Sequence, residues 1–122
     1  MKLWDTEYAD KQFSEWVRKR DPFCFFNCGR KSTDCSHYKN RGNSATRYDP
    51  ENCDGACREC HTLYGEETGG IYEERKRKQL GPERYAALIR RAAGTMKRDS
   101  AVYACMELLA SNPHPGHQRP LL

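Results

Sequence analysis

The chain has 122 residues, of which 37% are apolar and 31% charged, with seven cysteines and a formal net charge of +4 from 21 Lys+Arg against 17 Asp+Glu. That is enough for one small domain with a thin apolar interior, which calls for a covalent or metal staple. The opening "MKLWDTEYADKQ" contains no apolar run, so no signal peptide or membrane span is expected, and the mild positive balance permits a polyanionic partner without demanding one.

In chain order, residues 6–20 predict a helix, with Phe13, Trp16 and Val17 in i, i+3, i+4 spacing, Tyr8 near that stripe, and Asp5 or Thr6 as cap. Pro22 ends it by disfavouring a helical Asp21. From 22 to 54 no helical period occurs. "TDCSHY" reads as a short strand, "KNRGNS" as a turn, "ATRYD" as the returning strand and "DPEN" as a second turn. "GACRECHTLYGE" then reads as a helix capped by Asp54. "GIYEERKRKQLG" predicts another helix, closed by Gly81, and Pro82 suits the first turn of the next, whose stripe is Tyr85, Leu88 and Ile89. Asp99 or Ser100 caps a last helix, "AVYACMELLA", and the proline-bearing tail is expected to be mobile. The organisation is an α+β one: an N-terminal helix over 1–21, a core over 22–68, C-terminal helices over 69–110 and a flexible tail over 111–122.

The cysteines carry the strongest signal. Cys24 and Cys28 form C-x3-C, and Cys57 and Cys60 form C-x2-C after a long loop, the spacing of a four-thiolate structural zinc site. An expected cytoplasmic location keeps thiols reduced, and an odd cysteine count suits disulfides poorly, so metal ligation is the better reading. Cys53 forms its own C-x3-C with Cys57, leaving a different quartet open. Cys35 and Cys105 read as small hydrophobes.

Around these pairs lie His37 in the first strand, His61 directly after Cys60, and Asn52 in "NCDGACRECH". The pattern "CFFNC…SHY…ENCDGACRECH" resembles the HNH endonucleases, with their ββα-metal fold. Together with "FSEWVRKRDPFCFFNCGR" and "YEERKRKQLGPERYAALIRRA" it is similar to the NinG/Rap family of lambdoid-phage recombination endonucleases, over roughly residues 10–93. The resemblance implies a zinc-stabilised ββα core with flanking helices, in a phage- or prophage-encoded protein acting in a bacterial host. It implies that His37 is the general base, that His61 binds a catalytic Mg²⁺ or Mn²⁺, and that Asn52 fixes the loop between the strands. Many such proteins place an aspartate directly before the base. Here that position is Ser36, and Asp34 matches the NinG pattern as the second ligand, with a turn-capping role as its alternative.

Arg30, Lys39, Arg41 and Arg47 are the candidates for DNA phosphate contact, each weighed against a solvated side chain, with Arg47 foremost. Tyr38 and Tyr48 either stack or pack. The charges of "YEERKRKQ" suit a family segment and an exposed helix equally. The function expected is a metal-dependent DNA endonuclease acting on branched recombination intermediates, with a homodimer as the state that cleaves a junction symmetrically through the first or last helix. A non-catalytic zinc-knuckle DNA-binding or adaptor protein is the alternative, and a redox thiol protein a third reading.

Overall fold

The computed structural model describes residues 5–65 and 70–115. It is an α+β arrangement with helix α1 (Thr6–Arg20), strands β1 (Asp34–His37) and β2 (Cys53–Ala56), then α2 (Arg58–Tyr64), α3 (Gly70–Ala93) and α4 (Arg98–Ser111). Among the described residues no helix is long and apolar enough to cross a membrane. The expected tail falls largely outside the described residues, which stop at 115.

Helix α1 forms where its stripe predicts. Asp5 caps it by accepting the Tyr8 amide at 2.8 Å, and Ala9, Phe13 and Val17 are buried. At its end Arg20 is also buried. Its guanidinium donates to both oxygens of Asp21 and to the carbonyls of Pro50 and Cys53, so every polar atom it takes out of water finds a partner. Asp21 in turn accepts the Gly55 amide at 3.0 Å, which ties the end of α1 to β2.

The strands pair antiparallel, with Asp34 opposite Ala56, Cys35 opposite Gly55, Ser36 opposite Asp54 and His37 opposite Cys53. The returning strand is therefore Cys53–Ala56, and the reading of 45–49 as a strand is corrected: that segment is a run of turns. Arg47 and Tyr48 are buried there because they reach across to Asp10 of α1, not because they pair in a sheet. Asp54 is consumed inside β2, so it cannot cap α2. Cys57 takes that place, its Sγ accepting the Cys60 amide at 3.4 Å.

Two strands of four residues are marginal alone; here each face is covered. On one side α1 and α4 pack through Ala9, Phe13, Val17, Ala101, Val102 and Cys105, with Tyr48 and Cys53 completing the cluster. On the other, α3 lays Tyr72 and Lys76 over the sheet. The fully buried Lys76 ammonium pairs with Asp54 at 2.8 Å and donates to the Glu51 carbonyl, while the Tyr72 hydroxyl donates to Asp54. A buried charge needs such a partner, and this one fixes α3 against β2.

Helix α3 turns at Gly81, where φ is 78°, a conformation that favours glycine. Pro82 starts the second half, and Leu80, Tyr85 and Leu88 pack together across the bend. Helix α4 begins earlier than expected: Lys97 holds the cap position without a side-chain hydrogen bond, and Asp99 lies in the first turn, where its charge suits the helix dipole.

Candidate active site and metal centre

The loop after α1 and the start of α2 bring four sulfurs together. Cys24, Cys28, Cys57 and Cys60 each place Sγ within 4.8 Å of the other three, and Cys28 and Cys57 lie 3.6 Å apart. The positive φ of Asn27 and Gly29 bends the chain around the first pair, and the first turn of α2 delivers the second. Burial opposes ionisation of Cys57, but the Cys60 amide and the neighbouring sulfurs bring its thiol down to about 7. Four thiols of this spacing are compatible with structural zinc. Cys53 is not one of them. It lies in the α1–α4 core, which closes the alternative quartet.

Beside this cluster, a cleft of about 270 Å³ opens between α1, β1 and the loop that joins the strands, and His37, His61, Asp34, Arg41 and Asp10 line it. His37 is held at one end of its ring. Its Nε2 lies 3.0 Å from the Arg47 carbonyl, which only accepts, so Nε2 carries the hydrogen and Nδ1 keeps the lone pair. Burial pushes the pKa of His37 down to about 4. The nearby Arg47 and Arg41 charges act in the same direction, and the hydrogen bond to the carbonyl opposes them. The ring is a neutral acceptor across the physiological range.

The Arg47 carbonyl is positioned by its own side chain. The guanidinium donates to both oxygens of Asp10, at 2.9 and 2.6 Å, and to the Arg41 carbonyl at 2.7 Å. Tyr48 adds a hydrogen bond to Asp10 at 2.8 Å. This corrects the expectation for Arg47: with its side chain 7% exposed and its donors committed, it shapes the loop and is not available to a phosphate. Asp10 was not singled out from the sequence. The readable sign was an acid three residues before Phe13 and seven before Val17, on the stripe that α1 buries.

Asn52 holds the other end of the same loop. Fully buried, it accepts the Lys39 amide at 2.7 Å and donates to the Lys39 and Thr46 carbonyls. It does not line the cleft, so its part is to position the loop and not to touch reacting atoms.

His61 and Asp34 meet across α2 and β1, with Nδ1 of His61 2.9 Å from an Asp34 oxygen. The carboxylate accepts, so His61 keeps its lone pair on Nε2. Arg58 and Thr33 also donate to Asp34. Burial raises the Asp34 pKa, but these hydrogen bonds outweigh it and hold the carboxyl below its ordinary value. As placed, Asp34 orients the His61 ring, in the manner of carboxylates behind metal-binding histidines. Ser36 is fully buried on the far face, and its hydroxyl has no hydrogen-bond partner among the described residues. A side chain there does not reach the cleft, whereas Asp34 at the strand's end does.

Of the other basic candidates, Arg41 lines the cleft, Lys39 lies over the Tyr38 ring, and Arg30 is exposed beside the sulfur cluster, 3.3 Å from Glu59. Tyr38 packs, its hydroxyl 2.6 Å from that of Tyr85. On α3, Arg77 pairs with Glu73 and Lys78 with Glu74, as on an ordinary solvated helix. Comparison with protein-family models, curated proteins and solved structures finds no match.

Proposed function

We propose that this chain is a metal-dependent DNA endonuclease of the HNH type with a structural zinc. The observation that carries the reading is the shared cleft. A neutral His37 with a fixed tautomer faces the same space as a His61 whose free nitrogen is set by Asp34. Phosphodiester hydrolysis needs a base for water and a sink for charge on the leaving oxygen, and these two histidines divide the tasks.

In this reading Nδ1 of His37 takes the proton of the attacking water. Nε2 of His61, with its ring oriented by Asp34, would hold Mg²⁺ or Mn²⁺ at the cleft. The cation, when bound, supplies Lewis-acid stabilisation of the phosphate and the departing oxygen. Arg41 contacts the phosphate backbone at the cleft, and Arg30 and Lys39 extend that contact along the duplex. The four-sulfur site holds zinc and keeps α2, hence His61, rigid against β1. Branched recombination intermediates are the proposed substrate, and a homodimer the form that cuts a junction symmetrically.

The test is incubation of the zinc-loaded protein with linear, nicked and four-way DNA, with and without Mg²⁺ or Mn²⁺. Cation-dependent nicking, strongest on the four-way substrate, supports the reading. DNA binding without cleavage under any cation assigns the chain to the zinc-knuckle binding proteins instead.

A further inference from the structure

Behind the cleft lies a second group of soft donors. Cys35 and His37 point to the same face of β1, two residues apart, and Cys53 stands opposite His37 on β2. One ligand atom from each of the three lies within 4.8 Å of the other two. Cys53 is fully buried and its thiol points at the Arg47 carbonyl, 3.6 Å away, the same oxygen that accepts from His37. Cys35 and His37 line the cleft.

We infer that Cys35, His37 and Cys53 form a second cation site, distinct from the four-sulfur cluster, for a thiophilic ion such as Zn²⁺. Two thiolates with an imidazole suit a borderline-soft ion such as Zn²⁺, whereas thiolate sulfur is a poor ligand for the hard Mg²⁺. Three protein ligands leave a fourth position for water, on the side where the cleft opens. Binding replaces the two thiol protons, which are released to solvent, and forms two sulfur–metal bonds and one nitrogen–metal bond.

The consequence rests on the proposed function. If the ion takes Nδ1 of His37, the lone pair needed for the water is lost. If it takes Nε2, the hydrogen bond that fixes the ring to the Arg47 carbonyl is broken. In both cases an occupied site silences the base, so free thiophilic metal shuts down the nuclease while Mg²⁺ does not.

The experiment starts from protein carrying one zinc per chain and titrates it with Co²⁺, reading thiolate-to-cobalt absorption in the near ultraviolet. The expected result is one further equivalent bound with that absorption, lost in Cys35→Ser and in Cys35→Ala. Cys53→Ser gives a second check from the buried side. Binding of no further equivalent, or of one whose absorption is the same in the Cys35 variants, overturns the site. Cleavage is then measured at one and two equivalents of Zn²⁺, each variant being compared with its own one-equivalent rate. Wild type should fall on the order of a hundredfold, the scale of a lost general base, and the Cys35 variants should not. An equal fall in wild type and the Cys35 variants overturns the inhibitory role. Cobalt absorption with no cleavage under any condition upholds the site and removes the nuclease reading on which the inhibition rests.

Discussion

His37 Nε2 lies 3.0 Å from the carbonyl oxygen of Arg47, and that contact decides which ring nitrogen can act as a base. A side chain ten residues away in sequence sets the tautomer through its backbone, and Asp10 of α1 sets that backbone through the guanidinium.

The first prediction concerns pH. The folded-state pKa of His37, about 4, lies below its ordinary value of 6.5 because the ring is buried. If His37 is the base, as proposed, it stays competent until pH falls toward 4, so the acid limb of kcat/KM should have its midpoint below 6, not at 6.5. The same depression links to stability. The unfolded chain binds the proton more readily, so this contribution is complete above about 6.5 and is lost as pH falls through 4, a change of up to about 3 kcal/mol. Urea unfolding at pH 7 and pH 4.5 should show a wild-type decline that His37→Phe reduces.

Arg41, which lines the cleft, and Arg47, which holds the loop beside it, should separate cleanly. Asp10→Ala leaves the buried Arg47 guanidinium without its carboxylate and should cost about 2 kcal/mol of stability, with slower cleavage because the loop that holds His37 loosens. Arg41→Ala should weaken DNA binding for all sequences, lowering the salt dependence of affinity by about one phosphate contact. Calorimetry and binding titrations at several salt concentrations distinguish these patterns.

With zinc in the four-sulfur site, as proposed, its removal should destabilise the fold that α2 anchors. Zinc at a four-thiolate site contributes on the order of ten kcal/mol of apparent binding energy, comparable with the whole net stability of a small domain. Cys57→Ser or a strong chelator should therefore abolish the cooperative thermal transition, read by circular dichroism. Persistence of a sharp transition at the same temperature after chelation contradicts the role given to the cluster.

Two small substitutions test the packing of the strands. A Cβ at Gly55 lies 2.7 Å from the Asp21 carbonyl, so Gly55→Ala should destabilise by about 1–3 kcal/mol through overpacking. Ser36→Ala removes a buried hydroxyl without a described partner and should be neutral or slightly stabilising, with cleavage intact. Loss of cation-dependent cleavage in Ser36→Ala would instead place that hydroxyl in the catalytic machinery.

Local signals were readable and long-range ones were not. Helix α1, the break at Gly81 and each of the two cysteine pairs follow from residues within a few positions of one another. The position of β2 does not. "ATRYD" has the aromatic and β-branched character of a strand, yet Arg47 and Tyr48 are buried by contacts to α1, while the weakly strand-forming "CDGA" is held by β1, Asp21 and the Lys76–Asp54 pair. Asp54 looks like a helix cap until Lys76 and Tyr72, far along the chain, claim it. His37, His61 and Asp34 were legible as site candidates by motif, but the tautomers that suit them to it depend on Arg47 and on their mutual geometry. Asp10 and the placement of Cys35 and Cys53 around His37 emerged only in three dimensions.

The central claim is that His37 is a base poised over the phosphate bound at His61. Its most direct measurement is single-turnover cleavage of four-way DNA by zinc-loaded wild type and His37→Ala in Mn²⁺, with DNA affinity and zinc content determined on the same samples. The account predicts a fall in rate of about 10²- to 10⁴-fold in the variant, with binding and zinc unchanged. Equal cleavage rates in the two proteins would contradict it.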